Sequence, residues 1–194
     1  MSAFCHAFAP TTMRSHDSAH RGVHGAPRSV PPRSYARAMW FRTEPAELSR
    51  TSAHEFINVV DIDAPAERVF PLLTGERFEE WLTDLKGMRW TSAAPHGVGS
   101  TREVHLKMLS VKERILAWDE GRRFGFVIEA ITIPIIRWMT EDMQLEPRGE
   151  KACTLRYVVR YEPVRWVRPL TPLIQPVFAK MFRQAAQNVA RIAR

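Results

Sequence analysis

The pattern of apolar and polar positions divides the chain into a first segment without sustained periodicity and a later region of regular elements. The later region opens with residues 56–63, whose β-branched positions predict a strand. A short helix follows, for which Asp63 is the expected N-cap and Pro65 lies in the first turn. Gly75 ends that helix, and apolar residues at i, i+3, i+4 and i+7 from Phe78 predict a second short helix.

After these helices the pattern changes to strands joined by short turns, which is typical of an antiparallel meander. The six further strands are predicted at residues 88–92, 100–106, 109–118, 123–129, 137–146 and 153–162. The last segment, from about Pro169 to Arg194, repeats apolar residues at three- and four-residue steps and predicts a long amphipathic helix. Because of Pro172 and Pro176, we expect the regular part of this helix to begin near Gln175.

This order of elements predicts an α+β protein of the helix-grip type. A curved seven-stranded antiparallel sheet wraps on the long C-terminal helix, and two short helices follow the first strand. Several local patterns also occur in an order that resembles the START-like (SRPBCC) superfamily, in particular its polyketide cyclase/dehydrase and lipid-transport branch. They are Asp-Ala-Pro-Ala-Glu-Arg-Val-Phe (63–70), Phe-Glu-Glu-Trp (78–81), Gly-Val-Gly-Ser-Thr-Arg-Glu-Val (97–104), Ala-Trp-Asp-Glu-Gly-Arg-Arg-Phe (117–124) and the final amphipathic helix. The resemblance covers about residues 54–194 and implies the fold more specifically than the function, because such folds host many activities.

The net charge of +7 is concentrated in the first segment. Residues 1–43 contain six arginines and a single acid, Asp17, and they are rich in Ser, Pro and His. Such a composition buries too little apolar surface to offset the entropy of ordering, so we expect a disordered tail at 1–43 and a START-like domain at 44–194. The domain itself is nearly neutral, which argues against nucleic acid as a partner.

Two interpretations of the tail remain open, and a third, a metal site, is not favoured. Its Arg- and Ser-rich composition resembles an organellar transit peptide, and translation that begins at Met39 would make the tail a gene-model artefact. His16, His20 and His24 are four residues apart, a spacing that would align metal ligands on a helix. Glycines weaken any helix there and no carboxylate or cysteine completes the set, so we expect no metal and no other cofactor.

Localisation is predicted from two further features. The only cysteines are Cys5 and Cys153, one in the tail and one in the domain, which favours a reducing compartment over a disulfide framework. No apolar run approaches the roughly 20 residues of a membrane helix, so we expect a cytoplasmic protein without stable membrane insertion.

The hairpin of residues 100–118 can be given a register. A two-residue turn at 107–108 places Arg102 opposite Glu113 and Val104 opposite Val111. The valine pair marks its face as the buried one, so Arg102 and Glu113 should point inward. The other face then carries the pair of Glu103 and Lys112, and His105 lies on that outward face.

Two more strands supply inward-facing groups. Glu141 alternates with Met139 and Met143 on an apolar face, and Tyr157 lines the following strand. Charged groups among apolar neighbours suggest a polar anchor inside a hydrophobic pocket, and a structural salt bridge, or charges at the rim of the sheet that reach water, is the alternative interpretation. The candidate ligand-binding residues are Arg102, Glu113, Glu141, Trp81, Phe126, Met139, Met143, Tyr157, Phe178 and Phe182.

Three functions follow from these features. The first is the binding of a small hydrophobic ligand, lipid- or polyketide-like, without catalysis, because no Ser or Cys stands near a His as an activated nucleophile. The alternative is a polyketide cyclase, aromatase or dehydratase in which the inward Arg, Glu and Tyr act as polar and acid–base groups. The third is an interaction module that uses the Pro-rich residues 27–45 as a binding arm. Catalytic residues and the oligomeric state stay open.

Deletion of residues 1–38 should leave the thermal midpoint of unfolding essentially unchanged, because their composition predicts no packing on the domain. Thermal unfolding of the full and shortened chains checks this. A drop in the midpoint of more than a few degrees would show that the tail packs on the folded part.

Overall fold

A curved antiparallel sheet carries the fold, and the computed structural model describes residues 39–194 of the chain. The strands are β1 (Phe41–Arg42), β2 (His54–Ile62), β3 (Leu85–Trp90), β4 (Thr101–Leu106), β5 (Ser110–Asp119), β6 (Arg123–Ile131), β7 (Ile136–Pro147) and β8 (Cys153–Pro163). The helices are α1 (Ala66–Thr74), α2 (Phe78–Trp81) and α3 (Thr171–Ala193), with a short 3₁₀ turn at Arg168–Leu170. The predicted helix-grip architecture is confirmed. The predictions for the tail histidines lie outside the described residues.

The sheet has the strand order β2-β8-β7-β6-β5-β4-β3. Strands β3 to β8 form the predicted meander, and β2 closes the far edge by pairing with β8. Register shifts interrupt the pairing of β5 with β6 near Glu113 and near Ala117. Such bulges bend and twist a strand, and they help to curve the sheet around α3.

The strand β1 was not predicted. It lies beside the end of β6, beyond the part of β6 that pairs with β7, with Phe41 opposite Ile131 and Arg42 opposite Ala130. Two residues are too few to show an alternating pattern, and their sequence predicts no strand. The structure places them in the sheet.

The residues after β1 run across the outward face of the sheet. Leu48 is buried against Gly125 of β6, where an added Cβ would lie only 2.7 Å from a Leu48 methyl carbon. The guanidinium of Arg50 lies 4.4 Å from the ring centre of Trp138 on β7. This cover explains why outward-facing side chains of the central strands are buried, although a sheet with one solvated face would expose them.

The ends of the two short helices differ from the predictions. Pro65, not Asp63, is the N-cap of α1, and Asp63 is exposed. Gly75 ends α1 as predicted, with a φ of 144° that a residue with a side chain rarely adopts. The second helix covers only Phe78–Trp81, because the backbone leaves the helical region at Leu82, where ψ is 84°. Its single turn buries the Phe78 and Trp81 rings.

The long helix α3 begins at Thr171, four residues before the predicted Gln175. Pro172 lies in its first turn, where the missing N–H has no partner to lose, and Pro176 lies on the exposed side. Apart from Thr171, every buried residue of α3 lies in its second half, from Phe182 onward. That half packs on the sheet and on the short helices, where the side-chain amide of Asn188 donates a hydrogen bond to the Trp81 carbonyl (3.1 Å).

Within the described range, no helix is both long enough and apolar enough to cross a membrane.

The two phenylalanines of α3 should differ in their contribution to stability. Phe182 is buried between Phe56 and Tyr157, so Phe182→Ala should lower the free energy of unfolding by about 3–5 kcal/mol. Phe178 is only half-buried, and its truncation should cost less. Chemical denaturation of both variants measures this, with the exposed Val177→Ala as control. Equal, near-neutral effects of both truncations would mean that α3 does not close the sheet.

Candidate functional site

The β4–β5 hairpin has the register predicted from its turn, and it brings Arg102 and Glu113 together. Arg102 Nε donates a hydrogen bond to Glu113 Oε2 at 2.6 Å. Only 1% of Arg102 and 4% of Glu113 is exposed, so this ion pair lies in the interior. On the opposite face of the hairpin, Lys112 Nζ lies 3.3 Å from Glu103 Oε1, as the alternation requires.

The guanidinium of Arg102 is enclosed by aromatic rings from three elements. Its central carbon lies 5.1–5.5 Å from the ring centres of Phe78, Trp90, Phe124 and Phe126. The face of an aromatic ring attracts a cation, and the attraction grows where water is excluded. The rings therefore stabilise the charge of Arg102, and they also keep water away from it.

The backbone of α1 supplies one more acceptor. Arg102 Nη1 donates a hydrogen bond to the Thr74 carbonyl at 3.2 Å. Thr74 is the last residue of α1, where free carbonyls and the negative end of the helix dipole favour a cation. The Gly75 cap turns the chain away at this point and leaves the carbonyl accessible.

One nitrogen of the guanidinium has no acceptor. Arg102 Nη2 is buried and makes no hydrogen bond with any of residues 39–194. A guanidinium carries five N–H donors, and an unsatisfied buried donor is costly, more so on a charged group. Arg102 thus presents a charged donor to the interior that an additional oxygen atom would satisfy.

A second polar pair lies on the same inward face of the sheet. The hydroxyl of Tyr157 on β8 donates a hydrogen bond to Glu141 Oε2 on β7. Burial raises the pKa of Glu141 to about 8; the Tyr157 hydrogen bond opposes this shift, and the nearby Glu113 adds to it. Burial also raises the pKa of Glu113, opposed by Arg102, and it raises that of Tyr157 well above its usual value. At neutral pH, Glu141 therefore holds its proton.

The apolar candidates occupy the core around these groups. Met139, Met143, Phe126 and Phe182 are buried, and the Phe182 ring contacts Tyr157 edge-on at 5.9 Å between centroids. Trp81 is buried too, and its indole N–H donates to the Leu72 carbonyl at 2.9 Å, a hydrogen bond that holds α2 against α1.

Sequence reasoning missed several of the groups that surround Arg102. Phe124 could have been found, because it alternates with Phe126 and must share its face. The spacing of Phe78 within an apolar helix face predicts only helix packing. The Thr74 carbonyl gave no signal, since a backbone acceptor has no side chain to mark it.

The side chains of the loop histidine His96 and of Arg102 both lie against the ring of Trp90. Its imidazole stacks on Trp90 with 4.1 Å between centroids and 13° between planes. Its Nδ1 is buried and has no hydrogen-bond partner among the described residues. His105, predicted to face outward, is buried on that face, where its Nδ1 lies 2.9 Å from Ser110 Oγ. Neither belongs to a cluster of metal-binding groups, and residues 39–194 contain none.

A small cavity lies at the other end of the interior, beside the start of α3. Its volume is about 40 Å³, enough for a water molecule but far below the roughly 300–1,000 Å³ of pockets for drug-sized ligands. Its lining comprises Ile135, Ile136, Tyr161, Pro163, Val167, Thr171, Ile174 and Phe178. The Oγ1 of Thr171 is buried there and has no hydrogen-bond partner within the described range.

The fold is that of the helix-grip proteins of the START-like superfamily. Residues 53–194 match the family described as polyketide cyclase / dehydrase and lipid transport, and the chain belongs to that family. An uncharacterized protein of Mycobacterium tuberculosis (strain ATCC 25618 / H37Rv) is 24% identical over 148 residues, which are 74% of this chain and 87% of that protein.

Solved structures share the fold at low sequence identity. The Zhui aromatase/cyclase from Streptomyces sp. R1128 is 12% identical with a TM-score of 0.62, and the match covers 72% of this chain and 92% of that one. A START superfamily protein from Mycobacterium smegmatis is 14% identical with a TM-score of 0.53, covering 71% and 99% respectively. These likenesses concern the fold alone.

Removal of one partner of the buried ion pair should be more harmful than removal of both. Arg102→Met leaves Glu113 without a counter-charge and should lower the free energy of unfolding by about 3–5 kcal/mol. Arg102→Met with Glu113→Leu leaves no orphan charge and should recover much of that loss. Urea denaturation measures both, and Arg114→Met, which breaks the exposed pair with Glu129, should change little. A double variant no more stable than the single one would contradict this account.

Stability should fall with rising pH because of Glu141. Its pKa is about 8 in the folded protein and near 4.5 when unfolded, so between these values the folded state binds one proton more. The free energy of unfolding then decreases as pH rises, by at most about 1.4 kcal/mol per pH unit, and this decrease ends above about pH 8. Glu141→Gln removes the titrating group. Denaturation from about pH 5 to about pH 9 should show the slope in the difference between the two proteins, and parallel curves would rule it out.

Proposed function

We propose that this protein binds a small hydrophobic molecule, lipid- or polyketide-like, and holds one of its oxygen atoms on Arg102. The observation that carries the proposal is the buried Nη2 of Arg102, which has no acceptor among the described residues. A ligand oxygen at this nitrogen would form a charge-assisted hydrogen bond in a water-free, aromatic surrounding. The apolar walls around it suit the hydrophobic remainder of such a ligand.

The charges around Arg102 favour a neutral ligand. Glu113 balances the cation, and Glu141 keeps its proton at neutral pH because burial raises its pKa to about 8. A ligand carboxylate would add an uncompensated negative charge to the interior, whereas a carbonyl or hydroxyl oxygen would not. We therefore propose a ketone, ester or alcohol oxygen as the group that Arg102 holds.

Binding requires the interior to open. A cavity of about 40 Å³ cannot take a lipid, so α3 or the side chains beneath it must move to admit one. The first half of α3 has fewer buried residues than the second half, and it borders that cavity. We therefore propose that a ligand enters at this end, where few buried side chains of α3 have to move.

The experiment compares two probes of equal chain length, 2-tridecanone and tridecane, of which only the first has a carbonyl group, in native mass spectrometry and by competition for any co-purified ligand. The ketone should bind at least about tenfold more tightly to the wild-type protein, because its oxygen can accept from a charged donor. In Arg102→Met/Glu113→Leu the preference for the ketone should disappear while the protein stays folded.

The control variant removes a similar pair on the outward face, Arg123→Met/Asp142→Leu, whose nitrogen and oxygen lie 2.8 Å apart. It should keep the preference for the ketone. Failure of both probes to bind the wild-type protein, or an unchanged ketone preference in the Arg102→Met/Glu113→Leu variant, would overturn the proposal.

A second candidate is a cyclase, aromatase or dehydratase, and the Tyr157–Glu141 pair favours it. A carboxyl with a pKa of about 8 is suited to general acid–base catalysis near neutral pH, and Arg102 would polarise a carbonyl. A linear poly-β-ketone thioester is the test substrate. Ring formation that is lost in Glu141→Gln would support catalysis, and its absence in the wild-type protein leaves the binding function alone.

A further inference from the structure

The start of α3 and the turn before it expose an unusual number of large apolar side chains. Trp166, Leu170, Leu173 and Val177 all project into solvent, and Leu173 and Val177 are 75% and 65% exposed. They lie within residues 166–177, which we call the 166–177 surface. Large exposed apolar patches on a folded domain mark interaction sites more often than chance exposure.

This surface adjoins the small cavity. Ile174 and Phe178, on the same helical turns, line the cavity from the other side together with the buried Thr171. The loop between β6 and β7 joins the edge of the surface, where the Val164 N–H donates to the Ile135 carbonyl at 3.2 Å. The exposed apolar residues of α3 thus belong to the same helical turns that line the cavity.

The charged residues in and beside the 166–177 surface are basic. Residues 163–183 contain Arg165, Arg168, Lys180 and Arg183 and no acidic residue. Arg168 pairs with Glu162 at 2.6 Å, while the other three form no ion pair within the part of the chain that the structure describes. Three free cations therefore border an exposed apolar patch.

We propose that the 166–177 surface docks the protein on an anionic lipid bilayer. Trp166 and the aliphatic side chains enter the boundary between head groups and acyl chains, and Arg165, Lys180 and Arg183 contact lipid phosphates. A protein partner would have to balance three cations around a convex helix surface, whereas a fluid anionic bilayer adapts to both. The docking does not depend on the ligand proposed above.

Vesicle sedimentation with the full chain tests the docking. The protein should bind vesicles of phosphatidylcholine with about 30% phosphatidylglycerol and bind phosphatidylcholine alone much more weakly. Leu173→Glu/Val177→Glu should weaken binding to the anionic vesicles by about tenfold or more. Ile57→Glu/Val59→Glu is the matched control, since Ile57 and Val59 on β2 are 49% and 61% exposed and lie on another part of the molecule.

A second set of variants tests the cations. Arg165→Ala/Lys180→Ala/Arg183→Ala should weaken binding by about fivefold for each charge removed, and salt should weaken the wild-type binding. The charge-matched control replaces Lys86, Arg122 and Lys151, which are exposed and form no ion pair within residues 39–194. Equal losses in both triple variants would mean a general charge effect and would overturn the assignment to this surface.

The basic tail also attracts anionic vesicles, so a local signal is needed. Residues 1–38 contain no tryptophan, and Trp166 is the most exposed of the six. Lipids brominated near the head group should quench part of the tryptophan fluorescence of the bound wild-type protein. In Trp166→Phe most of this quenching should be absent. Binding without quenching of Trp166 would show that the tail alone binds the vesicles.

The surface could instead join two copies of the protein. Dimerisation that depends on concentration and is abolished by Leu173→Glu/Val177→Glu, without vesicle binding, would show this. Either result overturns the proposal.

Discussion

The buried guanidinium of Arg102 is the constraint to which much of this structure is adapted. A charge in the interior is tolerated only where acceptors and polarisable groups replace water. Here Glu113 supplies the counter-charge, the end of α1 supplies a carbonyl, and rings from α2, β3 and β6 supply their faces. Each of these elements must be placed correctly for the charge to be stable.

The same charge enforces the register of the hairpin. A slip of one residue between β4 and β5 would exchange the two faces of one strand and bring Glu103 into the aromatic enclosure in place of Arg102. The aromatic faces that stabilise a cation would then repel an anion. The ion pair therefore selects one register even if its net contribution to stability is small.

This strict alternation explains which parts of the site could be predicted from the sequence. The short turn and the valine pair were enough to place Arg102 opposite Glu113, and the period of two placed Glu141 inward. Other features depend on tertiary contacts that leave no periodic signal, such as the two-residue strand β1 and the Thr74 carbonyl. The burial of His105 could not be predicted either. The alternation of a strand predicts which face a side chain is on, but not whether another segment covers that face.

The start of α3 shows a further limit of sequence reasoning. Pro176 predicted a later start of the helix, because proline in a helix removes a hydrogen bond. The helix continues through it on the solvent side, where the carbonyl left without a partner can bind water.

The first half of α3 closes the interior and also carries exposed apolar residues of the 166–177 surface. The second half of the helix is held by buried alanines and valine, whereas in the first half only Thr171 is buried. Pro176 lies in that first half and weakens its hydrogen bonding. Movement of this half would expose the cavity lining, which costs more against water than against lipid because the hydrophobic penalty is absent there. A bilayer at the 166–177 surface would thus lower the cost of opening at the place where the fold resists it least.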